Sequence, residues 1–114
     1  MLNPLAQHMA LSRSNITEGL STLTRWTYNE KRLAIERDYV FETFADAFAF
    51  MTRIAFVADS MDHHPEWSNV YNRVHISLTT HDDGGVTAKD FALAHAMENA
   101  ASHFSPVASK VPAE

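Results

Sequence analysis

The sequence predicts an α+β domain, a single four-stranded antiparallel sheet with about three helices packed on one face. Three observations predict it. The segments run helix, two strands, helix, strand region, helix, without the strand–helix–strand alternation that builds a parallel sheet. The segment from Phe44 to Met61 is apolar around most of its circumference, so it must be covered on more than one side. With 114 residues the chain is the size of one domain and can bury a core without staples. The domain is expected over residues 14–104, behind a flexible lead-in at 1–13 and before a frayed tail at 105–114.

Ser14 to Leu23 reads as a short helix, with Ser14 or Asn15 as N-cap and Ile16, Leu20 and Leu23 at helical spacing. Arg25–Tyr28 and Leu33–Phe41 read as strands joined through Asn29-Glu30-Lys31-Arg32. In the second, Leu33, Ile35, Arg37, Tyr39 and Phe41 share one parity. Thr43 and Asp46 make a capping-box-like start for the helix from Phe44 to about Met61, and Asp46, Arg53 and Ser60 form its narrow polar stripe. Asn69–Thr80 alternates Val70, Val74, Ile76 and Leu78 against Tyr71, Arg73, His75 and Ser77, as one long strand or two joined by a bend near Asn72. Asp82-Asp83-Gly84-Gly85 is a loop, and Thr87 with Asp90 starts a last helix that runs to about His103.

Composition removes several function classes. Nine basic and 14 acidic residues give a net charge of −5, and Arg25, Lys31, Arg32, Arg37, Arg53 and Arg73 are scattered, so direct nucleic-acid binding is disfavoured. The absence of cysteine excludes disulfides, thiolate nucleophiles and cysteine-type zinc sites, and it fits a reducing compartment; a cytoplasmic protein is expected. No stretch is long and apolar enough to span a membrane, and no signal-peptide layout opens the chain. Residues 1–17 hold one Arg and no acid, a composition that also suits a transit segment.

The seven histidines, His8, His63, His64, His75, His81, His95 and His103, are the unusual feature, because imidazole titrates near neutral pH. His63 and His64 sit where Pro65 forces the chain out of helical geometry, beside Asp59, Asp62, Glu66 and Trp67. Loops held on rigid elements are where reactive side chains gather. The plainer reading is a solvated His pair favouring a helix C-terminus. Asp59 is a carboxylate at the disfavoured end of a helix, which marks it as functional unless the last turn is frayed. His81 ends the best strand beside a Gly-Gly loop, and standing alone it would be a surface histidine. Asp90 has a structural reading as a cap, Trp67 as half-buried packing, and His75 as a mid-strand residue; His8, His95 and His103 have no evident partners. Asp62, His63, His64 and His81 offer ligand types for a metal, but no H-E-x-x-H spacing is present and adjacent His side chains diverge, so no metal site is expected.

Together these residues resemble the pterin-4a-carbinolamine dehydratase family, from about Trp26 to Met97. The sharpest part is D-H-H-P-E-W-S-N-V-Y-N-R-V-H-I-S-L-T-T-H, Asp62 to His81; F-A-F-M-T-R-I-A-F, Phe48 to Phe56, and T-A-K-D, Thr87 to Asp90, also match. The resemblance implies catalytic roles for His63, His64 and His81. It implies substrate-binding roles for Asp59, Asp62, Trp67, Thr79, Thr80 and Asp90, with Asp59 standing where many members carry Glu. It implies loss of water from a 4a-hydroxytetrahydropterin to give a quinonoid dihydropterin, in recycling of the pterin used for aromatic amino-acid hydroxylation. No cofactor is needed, since the step is not a redox change. His63 and His81 would be the acid–base pair, His64 would orient or bind substrate, Asp90 would hold His81 or another histidine in its tautomer, and Trp67 would wall the pterin. A homodimer or homotetramer through helix 44–61 is implied as well. The rival readings are a non-catalytic protein-binding module on the same fold, such as a transcription-factor dimerisation cofactor or an assembly factor, and a metal hydrolase.

Overall fold

In a computed structural model, which describes residues 9–104, the chain forms three α-helices and one four-stranded sheet. Helix α1 is Arg13–Leu20, α2 is Phe44–Met61 and α3 is Ala88–Ala101. The strands are β1 (Thr27–Asn29), β2 (Ala34–Val40), β3 (Glu66–Val70) and β4 (Arg73–Leu78). All pairings are antiparallel, in the order β1-β2-β4-β3. Most of the lead-in and the tail, and His8, lie outside the described residues.

The core lies between one sheet face and the helices. Ile35 and Tyr39 of β2 and Val74, Ile76 and Leu78 of β4 meet Ala47, Phe50 and Ile54 of α2 and Leu93, Ala94 and Met97 of α3. Tyr39, Phe41 and Phe50 stack with centroids 5.0–6.0 Å apart. The buried positions of α2, Ala47, Phe50, Ile54 and Ala58, recur every three or four residues, as one face of a helix requires.

Several boundaries differ from the sequence reading, each for a local reason. Ser12, not Ser14 or Asn15, caps α1 by accepting from Asn15 N at 3.1 Å. The helix stops at Leu20, and Leu23 is buried from a following turn. Leu33 is not the inward start of a strand: its φ of 53° places it in the turn, half exposed, where Asn29 Oδ1 gathers the Lys31 and Arg32 N–H groups. Of the two forms the sequence allows for 69–80, the structure has the two strands joined near Asn72, and the first starts earlier than expected, at Glu66. Tyr71 (φ 51°) and Asn72 form a two-residue turn that sets Val70 opposite Arg73, so Val70 points away from the core. The turn reverses the strand, which defeats a parity count run straight through it.

Two turns of the chain aim the histidines. α2 ends at Asp62, whose φ of 51° and ψ of 43° are tolerated by a short polar side chain, and His63 N bonds back to Ala58 O at 3.0 Å. That reversal folds His63 inward beneath the helix end. After β4, a 3₁₀ turn (His81–Asp83) is closed by Gly84 at φ 78°, and Thr80 pairs with Gly85. The required left-handed geometry explains the glycine at position 84. Among the described residues no helix is long and apolar enough to cross a membrane.

Candidate active site

The end of α2, the end of β4 and the start of α3 converge on one open cleft of about 370 Å³. Its lining includes Asp62, His63, His64, Thr79, Thr80 and His81, which the sequence reading singled out, and Asp82 and Lys89, which it did not.

At its floor His63 is buried, and its Nε2 lies 2.6 Å from Asp90 Oδ1. Asp90 has no exposed surface. Its second oxygen accepts from Thr80 Oγ1 at 2.8 Å and from Thr87 N at 2.9 Å. Thr87 and Asp90 thus form the complete capping box of α3. The two readings of Asp90, cap and histidine partner, are therefore both realised, one on each oxygen. An ionised carboxylate only accepts, so the His63 proton on this side sits on Nε2. Nδ1 is left as the other ring nitrogen of a residue that lines the cleft. A hydroxyl relay completes the network: Thr80 Oγ1 is 2.8 Å from Thr87 Oγ1, and since Thr80 donates to Asp90, Thr87 donates to Thr80.

The other two histidines repeat the pattern in water. His64 Nε2 lies 2.9 Å from Asp59 Oδ1, both side chains being mostly exposed. His81 Nε2 lies 2.5 Å from Glu66 Oε2. Sequence reasoning gave Glu66 no role, although it stands beside His64 and Pro65. Nothing in one sequence says that the first residue of β3 meets a turn beyond the end of β4. Thr79 lines the cleft but donates its hydroxyl to Leu33 O at 2.7 Å. Trp67 lies outside the cleft, half-buried against the core. His75, on the outer sheet face, pairs through Nδ1 with Asp38 at 2.7 Å, and His95 and His103 are exposed.

The four groups considered as metal ligands do not converge: among the described residues no three His, Asp or Glu side chains are placed to share an ion. The arrangement instead suits proton transfer. Three imidazoles border one cleft, and each has one nitrogen fixed by its own carboxylate and the other left over.

Fold and cleft together define a small α+β protein with a cleft bordered by three carboxylate-paired histidines. Comparison with known proteins makes the class specific. The chain matches the family described as "Pterin 4 alpha carbinolamine dehydratase" over residues 9–100, and it belongs to that family. A relative from Mesorhizobium japonicum, provisionally named a pterin-4-alpha-carbinolamine dehydratase, is 52% identical over 89 residues, covering 78% of this chain and 91% of its own. One of the same provisional name from Bordetella avium is 44% identical over 100 residues, covering 88% and 93%. The crystal structure of a "transcriptional coactivator/pterin dehydratase" from Brucella melitensis superposes with a TM-score of 0.79 at 42% identity, covering 81% of this chain and 98% of that one.

Proposed function

We propose that this protein catalyses dehydration of a 4a-hydroxytetrahydropterin to the quinonoid dihydropterin, in recycling of the pterin used by aromatic amino-acid hydroxylases. The observation that carries the reading is the His63–Asp90 pair at the floor of a cleft that His64 and His81 also border. In the reaction the C4a hydroxyl leaves as water with an added proton, N5 gives up its proton, and a C4a–N5 double bond forms. Oxidation state does not change. One group must donate a proton and another accept one near neutral pH, which suits two imidazoles.

His63 and His81 are assigned as this acid–base pair and His64 as an orienting or binding group. Asp90 holds His63, and not His81, in one tautomer. Asp62 lines the cleft, Asp59 is outside the lining and acts through His64, and Thr80 acts through Asp90. Packing comes first for Trp67; contact with a pterin would require the ligand to extend past the cleft toward β3. A cleft of about 370 Å³ falls within the range of small-molecule sites.

The decisive measurement is the dehydration rate of 4a-hydroxytetrahydropterin, generated in situ by an aromatic amino-acid hydroxylase, with purified protein and a chelator present. A large acceleration over the spontaneous reaction is expected. None from folded protein would overturn the dehydratase reading and favour the binding module.

A specific observation supports a role in assembly alongside catalysis. Phe44, Phe48 and Phe56 stand 48–75% exposed along α2. Large aromatics spaced along one helix are costly to leave in water. We assign this face to a homodimer or homotetramer contact; Phe48→Glu and Phe56→Glu should lower the mass seen by sedimentation.

A further inference from the structure

We propose that Glu66 is the positioning residue for His81, the counterpart on the open side of the cleft of what Asp90 is for His63. The inference rests on the dehydratase reading and adds to it a residue outside the assigned set. His81 projects from the 3₁₀ turn with 77% of its side chain in water, so packing does little to fix its ring. The hydrogen bond to Glu66 is the contact that does.

Glu66 is itself well placed for the task. It follows Pro65, begins β3 and stands opposite Ser77 of β4, so the sheet ladder fixes its Cα. Its carboxylate is divided: Oε2 meets His81 Nε2 at 2.5 Å, and Oε1 faces Arg32 Nη2 at 3.6 Å. Arg32, from the turn between β1 and β2, also lies 3.6 Å from Glu36 Oε2, which ties the arrangement to the sheet. A carboxylate accepting at Nε2 favours the tautomer with its proton there, and the lone pair of neutral His81 then resides on Nδ1. Nδ1 is thereby the atom that exchanges a proton with a ligand in the cleft. His63 and His81 work through the same ring nitrogen, one with a buried orienting acid and one with an exposed acid.

The test combines ring-nitrogen NMR with kinetics on Glu66→Gln, which removes the charge, and Glu66→Met, which removes the acceptor at similar length. Both side chains of the pair are partly exposed, so the variants should fold. In the wild type at alkaline pH, the ¹⁵N shifts of His81 should report mainly the Nε2–H form, and in Glu66→Met a mixture. Turnover should fall by about tenfold with KM little changed, well short of the roughly 10⁴-fold cost of losing a buried triad carboxylate. In a His81→Ala background the Glu66 substitutions should cost nothing further.

An unchanged His81 ring and turnover in an active enzyme, or a Glu66 effect that persists without His81, would overturn this assignment alone. A wild-type protein that gives no acceleration overturns the dehydratase reading and with it the catalytic half of the proposal; the NMR result would still decide whether Glu66 sets the ring.

Discussion

Asp90 and Glu98 are carboxylates eight residues apart on α3, and each gathers three donors. Asp90 receives His63 Nε2, Thr80 Oγ1 and Thr87 N, shared between its two oxygens. Glu98 receives Trp26 Nε1, Arg37 Nε and the Tyr39 hydroxyl, all on Oε2. Arg37 also lies over the Tyr39 ring, 4.1 Å from its centroid. The networks look alike and do different work. Trp, Arg and Tyr exchange no proton near neutral pH, so the Glu98 hub joins β2 and the segment before β1 to the helix and stops there. Asp90 holds an imidazole that borders a cleft, and imidazole is the side chain best suited to proton transfer. On the dehydratase reading, a buried carboxylate network serves catalysis when one of its donors keeps a second atom for a ligand, as His63 does with Nδ1.

Substitutions in the two networks should have unlike effects. The largest effect is expected from His63→Ala, which should fold normally yet lose roughly 10²–10⁴-fold in turnover. His81→Ala should lose a comparable share without loss of stability, because its side chain is mostly exposed. Wild-type rates in both would end the assignment. Asp90→Ala should combine a similar loss of activity with about 2–4 kcal/mol of destabilisation in denaturant melts, since it removes the acid half of the capping box and strands the Thr80 and Thr87 donors.

Glu98→Gln should separate the two networks. We expect about 1–2 kcal/mol of lost stability, kept modest because 37% of the Glu98 side chain reaches solvent. Turnover at saturating substrate should stay within about twofold of wild type. A folded Glu98→Gln protein without activity would show that the hub reaches the cleft after all.

The same hub has a pH signature. Burial alone would raise the Glu98 carboxyl; bonds from Tyr39 and Trp26 and the Arg37 charge outweigh it and hold the group below its ordinary 4.5. Its contribution is thus fully present above that value and is lost as pH falls toward the depressed folded value. Tyr39 is pushed above its ordinary 10.0, first by burial and then by its bond to Glu98, so its contribution is present below that value and is lost as pH rises through the raised one. Thermal melts of wild type against Glu98→Gln should show the acid limb shrinking in the variant. The smallest effect belongs to Asp59→Asn, whose exposed contact with His64 should change stability by no more than about 0.5 kcal/mol.

Much of the molecule is legible in the sequence where the physics is local. α2 is readable to the residue because its apolar spacing, the Thr43 cap and Pro65 act within a few positions of one another. The T-x-x-D start of α3 is readable for the same reason. The α+β class follows from element order. His63, His64 and His81 are legible as a motif, since their types and spacing carry the resemblance. What fails are features set by turns: the left-handed Leu33 and Tyr71, the outward Val70, and the early start of β3.

Which segments are helical, which positions are apolar and which histidines stand out can be read along the chain. Those are consequences of periodicity, capping and side-chain chemistry along a single stretch of chain. Only the tertiary structure decided the partners: Asp90 with His63 across 27 residues, Glu66 with His81 across 15, and Trp26 with Glu98 across 72. Hydrogen bonds act over about 3 Å, and nothing local in a chain encodes which distant carboxylate will arrive at that distance. That is set by how the helices pack on the sheet and where each strand is turned back.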